Sequence, residues 1–314
     1  MLHLLPASID IGSHSTLLLI ADWDQVGGKA RLMPKVQKVE VVRLGEDLHS
    51  TGTISPERIA ELVSVLTTFR QTAHALGARI DRVVMTEAVR KAGNQAEVLE
   101  AVEKALWIKP EILAGEDEAR LSWAAVAHWH GSEQLTIDVG GGSTELSQGR
   151  TFLSIPIGAL RLKNEMGVIP VPEYKKWSKE TFAGLELKPY AKMPVTLVGG
   201  TAVALGMLHL GLSKFDGSIL EGLELSMEEL DKVITRISDL SKELRTQLPG
   251  LENGRSEVII CGLFWIRSLL EKLKAERFRI STLGLRFGVL LTPEVLQELF
   301  PEPKAEAVKK RRGF

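Results

Sequence analysis

Asp138-Val139-Gly140-Gly141-Gly142-Ser143-Thr144-Glu145 is the stretch on which the reading of this chain turns. The apolar run Leu135-Thr136-Ile137-Asp138-Val139 enters three adjacent glycines, and Glu145-Leu146-Ser147 leaves them, which describes a strand, a tight turn and a second strand. Glycines let a backbone turn sharply and bring N–H groups close to phosphate oxygens, because no Cβ intervenes. Ser143 and Thr144 add hydroxyl donors. Asp138 and Glu145 would repel phosphate unless a hard cation such as Mg²⁺ lies between, or unless they orient water. Taken alone, the segment equally describes a glycine-rich hairpin with a solvated Thr-Glu.

A second stretch sharpens the choice. Asp10-Ile11-Gly12-Ser13-His14-Ser15 ends an apolar strand near Ala7, and Leu17 to Ala21 resumes as another strand. The Asp-x-Gly turn therefore recurs at residues 10–12 and 138–140, and the chain reads as two halves of one design. The boundary falls near Gly131, giving residues 1–130 and 131–314. Two such hairpins facing each other across a cleft would hold a phosphate chain from both sides. Gly199-Gly200-Thr201 adds a third glycine turn after Val195 to Val198, at a helix N-terminus whose dipole favours an anion. No Gly-Lys-Ser/Thr follows any of these turns, so none is a Walker A loop. Gly-x-Gly-x-x-Gly in a βαβ setting is also missing, against a Rossmann dinucleotide site. His14, a lone histidine in a turn, reads as a polar surface residue.

Outward from these turns, strand and helix patterns alternate, which indicates α/β architecture. Arg31 to Met33 and Val36 to Leu44 read as two further strands. Ser55 as N-cap and Pro56 at the first helical position open a helix with an Ile59, Leu62, Val63, Leu66, Phe69 stripe, which Gly77 stops. Arg82 to Met85 is a buried strand, Ala96 to Leu106 a helix, residues 111–114 a short strand and Asp117 to His128 a helix. In the second half, Ser226 and Glu229 form a capping box before a helix carrying Leu230, Val233 and Ile237. Val258-Ile259-Ile260 precedes another helix, and Ile280 to Leu283 reads as the last strand.

Composition sets the outer limits. The chain has 314 residues, about twice the usual single-domain length, so two domains are expected. Hydrophobic residues make up 44% and charged residues 25%, which excludes a disordered chain. Lys plus Arg number 39 against 40 for Asp plus Glu, a net charge of −1 that argues against a broadly basic nucleic-acid binder. Lys309-Lys310-Arg311-Arg312 reads as a solvated tail. One cysteine, Cys261, excludes an intrachain disulfide and fits a reducing compartment. With no leader pattern and no apolar run of membrane-spanning length, a soluble cytoplasmic protein is expected, without nucleic-acid or membrane partners.

With these loops in hand, the chain resembles the exopolyphosphatase / guanosine pentaphosphate phosphohydrolase (Ppx/GppA) family, in its short two-domain form. The carrying segments are Ser8 to Ser13, Thr86-Glu87-Ala88-Val89-Arg90-Lys91-Ala92-Gly93-Asn94, Ala114-Gly115-Glu116-Asp117-Glu118-Ala119-Arg120-Leu121 and Ile137 to Glu145. Ile155-Pro156-Ile157-Gly158-Ala159-Leu160-Arg161-Leu162, Val198 to Thr201 and Gly284-Leu285-Arg286-Phe287-Gly288-Val289 follow in the family's order. The resemblance implies an α/β two-domain actin-like ATPase fold (ribonuclease H-like, the ASKHA class) with the active site in the interdomain cleft. It implies a Mg²⁺-dependent exopolyphosphatase that releases orthophosphate from inorganic polyphosphate, or the same chemistry on guanosine pentaphosphate to give the tetraphosphate. A kinase-like phosphotransferase shares the fold but needs an adenosine pocket. A homodimer is expected by the same resemblance.

Residue by residue, the resemblance makes Glu118 the general base and Arg90 an arginine near the phosphate. Asp138 and Glu145 become the residues that hold the metal or the attacking water. Asp10, Gly12 and Ser13 belong to the first phosphate loop, and Gly140, Gly141, Gly142, Ser143 and Thr144 to the second, with Gly199, Gly200 and Thr201 as a third contact. On its own residues, Glu116-Asp117-Glu118 describes either a carboxylate with its pKa raised by like charges or ordinary first-turn acids favoured by the helix dipole. A groove lined by Arg161, Lys163 and Arg286 is a candidate path for the polyanion, and surface charge is the alternative for each. Three positions depart from the family. Phe287 stands where an acid is usual, Glu221 where histidine is frequent, and Ser256-Glu257 where Ala-Asp is usual. They raise the alternative of a catalytically impaired sensor of polyphosphate or alarmone.

Overall fold

A computed structural model of the chain describes residues 4–167, 171–251 and 255–301. Two sheets dominate. The first joins β1 (Leu5–Ile11), β2 (Ser15–Val26), β3 (Lys29–Val41), β4 (Ala78–Met85) and β5 (Glu111–Ile112) in the order β3-β2-β1-β4-β5. The second contains β6 (Leu135–Val139), β7 (Thr144–Gln148), β8 (Thr151–Ile155), β9 (Val195–Val198), β10 (Glu224–Ser226) and β11 (Arg277–Ile280), in the order β10-β11-β9-β6-β7-β8. Each sheet begins as an antiparallel meander. Each then adds a parallel strand on the far side of its first strand: β4 beside β1, and β9 beside β6. The repeat read from two Asp-x-Gly turns is thus a repeat of topology.

Hydrophobic patterning explains the layers. Ile9, Ile11, Leu18 and Ile20 bury one face of the first sheet with Leu62, Leu66 and Phe69 of the helix Pro56–Ala75. In the second half Ile137, Leu197 and Ile280 pack with Leu205, Leu263 and Trp265 from the helices Gly199–Leu210 and Ile259–Leu273. The capping box at Ser226 and Glu229 forms with both of its reciprocal hydrogen bonds.

One helix of each half reaches across to the other sheet. Gly115–His130 packs against β6, β7 and β8, and the short helix Leu285–Gly288 packs on that helix and on β1 and β2. Leu19, Ala21, Val126, Val198, Leu283 and Phe287 form the apolar seam there. Among the described residues no helix is long and apolar enough to cross a membrane.

Several local expectations shift. Arg31 to Leu44 holds one strand, β3, and not two. Pro34 is tolerated because β3 is the edge strand and a register shift at Ile20/Ala21 accompanies the Ala21–Pro34 pairing. β11 ends at Ile280, because the Thr282 N–H goes to the Glu221 carboxylate and leaves the ladder. Val258-Ile259-Ile260 stands at the start of the helix Ile259–Leu273, with Val258 as its N-cap. Strand β8 and the helices Glu87–Lys91, Ala159–Met166 and Val171–Phe182 join the elements expected from periodicity. The basic run at 309–312 and the Glu257 side chain lie outside the described residues.

Candidate active site

The two glycine turns are built alike. Gly12 N donates to Ser15 O at 3.0 Å, and Gly140 N donates to Ser143 O at 3.0 Å. Both turns stand at the ends of their central strands and line one cavity of about 240 Å³, together with Gly199, Gly200 and Thr201 at the start of the helix Gly199–Leu210. Glycine is required at Gly199. Its φ is +84°, and a Cβ would fall 2.3 Å from Asp138 Oδ1. The Thr144 hydroxyl serves the framework: it donates to Ile157 O at 2.6 Å and accepts from Trp265 Nε1 at 2.8 Å.

Four carboxylates converge on this cavity. Asp138 lies directly opposite Glu145 in the β6–β7 ladder, so both project from the same face of the sheet. Burial raises Asp138 to about 6, while hydrogen bonding from Ser122 and the charge of Arg286 oppose the rise. Burial, then the charges of Glu118 and Asp138, pushes Glu145 well above the usual carboxylate range. Ser143 and Ser154 partly offset this, Ser154 Oγ donating to Glu145 Oε1 at 3.0 Å. Asp10, at the end of β1, is raised to about 7 by burial and by the charge of Asp138.

Glu118 occupies the first turn of the helix Gly115–His130 and is only 6% exposed. Its Oε1 accepts a short hydrogen bond from Arg90 Nη1, and Arg90 also reaches Leu113 O. Burial outweighs that pairing and raises Glu118 to about 8. The helix dipole favours the anion at this position, but desolvation is the larger effect.

This donor set fits a divalent cation. Asp10 Oδ1 is buried and has no hydrogen-bond partner within the protein. Asp138 and Glu145 are hard oxygen donors whose burial a cation would relieve. Among the described residues no group of three His, Cys, Asp or Glu forms a metal cage. Mg²⁺ needs none when one or two carboxylates, waters and phosphate oxygens complete its shell.

The structure brings Asp10, Gly12, Ser13, Glu118, Asp138, Gly140, Gly141, Gly142, Ser143, Glu145, Gly199, Gly200, Thr201 and Arg286 to one cavity wall. Arg90 stands behind Glu118. The three basic residues expected to share a groove are separated. Arg286 lines the cleft, held by Gln37 Oε1 and Thr282 O. Arg161 lines a neighbouring cavity, and Lys163 lines neither. His14 is buried in the cleft wall, not on the surface, because the strands that flank its turn carry it inward.

Phe287 and Glu221 are also accounted for. Phe287 is buried in the seam, away from the cavity lining. The Glu221 carboxylate pairs with His130 Nε2 at 2.7 Å and accepts from Ser281 Oγ and Thr282 Oγ1, each at 2.8 Å, so it fixes the segment leading to Arg286. Three residues in or beside the cleft were not marked by the sequence as site residues. Arg255 rests on Gly200 and lies 3.5 Å from Ser15 Oγ. Ser122 stabilises Asp138. Glu87 touches the first turn, and its place beside Arg90 in a quoted motif was the available signal.

Fold and site together define an actin-like, two-sheet α/β protein with an acidic cleft built on two glycine turns. The profile of the Ppx/GppA phosphatase family matches residues 23–296, so the chain belongs to that family and is an enzyme of the phosphoanhydride-hydrolase type. Exopolyphosphatase 1 of Mycobacterium leprae is 29% identical over 300 residues, covering 90% of this chain and 87% of that relative. The solved Ppx/GppA family member of Aquifex aeolicus is 27% identical with a TM-score of 0.75, over 94% of this chain and 98% of that one. An exopolyphosphatase from Cytophaga hutchinsonii, 21% identical, shares the fold with a TM-score of 0.81 over 94% and 97% of the two chains.

Proposed function

We propose that the chain is a Mg²⁺-dependent exopolyphosphatase that hydrolyses the terminal phosphoanhydride of inorganic polyphosphate and releases orthophosphate. The observation that carries this reading is the placement of buried Glu118, held by Arg90, in the wall of the cleft that both glycine turns and the helix start at Gly199 line. Glu118 orients a water and accepts its proton as the water oxygen attacks the terminal phosphorus. The bond to the bridging oxygen breaks, and the shortened chain leaves with that electron pair. Backbone N–H groups of the two turns and of the helix start at Gly199 hold the phosphoryl oxygens. When bound at Asp138 and Glu145, the cation supplies charge neutralisation for the phosphates and, by shielding the neighbouring acids, brings Glu118 back toward the range of a base.

Glu118→Gln tests the assignment. Turnover should fall on the order of 10²–10⁴-fold while polyphosphate binding persists; full activity in this variant sinks the role given to Glu118. Hydrolysis of guanosine pentaphosphate is a second reading with its own support. Val203, Met207, Phe215 and Val258 give the outer cavity an apolar side suited to a nucleoside. Phosphate release from long-chain polyphosphate and from guanosine pentaphosphate, assayed in parallel with Mg²⁺, separates the two. Turnover of neither, with tight binding of one, would favour a sensor.

A further inference from the structure

A second cavity, of about 210 Å³, lies behind the two glycine turns. It shares Ser13, Gly141, Gly142 and Leu160 with the cleft, and Lys91 and Arg161 stand in its outer wall. The partition between the cavities is thin. Ser13 Oγ donates to Glu87 Oε2 at 3.3 Å, and that same oxygen lies 2.0 Å from where a Cβ on Gly142 would be. The Glu87 carboxylate thus closes the gap between the turns. Its other oxygen is held from the outer side by Lys91 Nζ at 2.6 Å and by Arg161 Nη1 at 3.5 Å.

This arrangement meets a difficulty inherent in the reaction proposed above, on which the inference rests. A chain that enters by the mouth and is cut at its inner end leaves the new orthophosphate behind the shortened chain. Exit through the mouth requires the chain to depart first, so each cut would end the encounter.

We propose that the second cavity is an orthophosphate exit site, closed by Glu87 and lined for the product by Lys91 and Arg161. Orthophosphate moving outward between Ser13 and Gly142 takes over the two cations that hold Glu87, and the carboxylate swings off Ser13. One anion replaces another on Lys91 and Arg161, and the displaced carboxylate turns toward solvent. At roughly 30 Å³ per water, the cavity has room for a phosphate ion with part of its hydration shell.

Binding of labelled orthophosphate, followed by equilibrium dialysis, examines the exit site whether or not polyphosphate is a substrate. Lys91→Gln and Arg161→Gln should each weaken binding by about five-fold or more, and equal binding by all three proteins overturns the site. In turnover, orthophosphate should inhibit the wild-type protein noncompetitively against long-chain polyphosphate, because it enters from behind a bound chain; purely competitive inhibition overturns the exit route. Lys91→Gln should leave the single-turnover cleavage rate unchanged, lower steady-state turnover several-fold and produce a burst of phosphate; an equal loss in both rates overturns the assignment to product release. A wild-type protein that releases no phosphate from polyphosphate fails the hydrolase reading instead, and the dialysis result still decides whether the site exists.

Discussion

The turn at Asp10 and the turn at Asp138 share a closing hydrogen bond, a position at the end of a central strand and a place in one cavity. They differ in the residue across the hairpin. Asp10 faces Leu17, whereas Asp138 faces Glu145. The second turn is further served by Ser122 and Ser154, which hydrogen-bond its two acids. In the function proposed above, the duplicated scaffold divides the labour: the first turn would grip phosphate, and the second concentrates the acids that a cation and a base would use. The contrast rests on one cross-strand position, so it can be tested at that position.

The largest effect is expected there. Glu145→Gln removes one acid of the second turn and should lower Mg²⁺-supported turnover on the order of 10³-fold, equivalent to about 4 kcal/mol of transition-state stabilisation. Leu17→Ala, at the matching position of the first turn, should change kcat by only a few-fold. Comparable losses in the two variants would erase the distinction. Phe287→Ala addresses what holds the two hairpins together, since Phe287 packs with Leu19 behind the first turn and Val198 beside the second. Urea unfolding should register a loss of at least about 3 kcal/mol. An unchanged midpoint would show that the seam contributes little.

The acids also make stability depend on pH, with a definite sign. Asp10 is raised from 3.8 to about 7 and Glu118 from 4.5 to about 8, both chiefly by burial. Between the unfolded and folded values, the folded protein holds protons that the unfolded chain has lost. In metal-free buffer, stability should therefore be greatest near pH 4–5 and fall as pH rises through about 8. Added Mg²⁺ should restore part of the loss at pH 8, and a thermal midpoint that climbs from pH 5 to pH 8 without metal would contradict the burial of these acids. The smallest effect is expected of Ser154→Ala, which deletes one donor to Glu145 and should cost about 1 kcal/mol. Its counterpart measurement is the Mg²⁺ concentration for half-maximal activity, which should move little.

What could be read from the chain, and what could not, follows the range of the interactions. Both hairpins were legible because apolar strands flank the glycines, and the helix at Pro56 was legible because Ser55, Pro56 and an apolar stripe are all local. The end of β11 was misread because Ser281 to Leu283 look strand-like, while the carboxylate that draws Thr282 away sits at Glu221, sixty-one residues earlier. Glu118 drew notice through its motif, but its raised pKa comes from burial created by the assembled cleft. Glu87 was marked only by its place beside Arg90 in a motif, since its contacts with Ser13 and Gly142 come from two other regions. Phe287 and Glu221 read as departures bearing on substrate choice, and in the structure one fills the seam and the other anchors a loop.

The helix Gly115–His130 has a mechanical consequence. It begins just after β5 of the first sheet yet rests on β6, β7 and β8 of the second, so Glu118 sits on the same support as Asp138 and Glu145. Arg90 and Asp10 belong to the other body. If the two sheets part at the cleft, the guanidinium pairing at Glu118 is the link nearest the acids that would break, while the far end of the helix stays tied to β3 through Arg31 and His128. Because burial raises Glu118 by more than Arg90 lowers it, a closing cleft would tighten the hold of Glu118 on a proton, and the returning guanidinium would limit that rise.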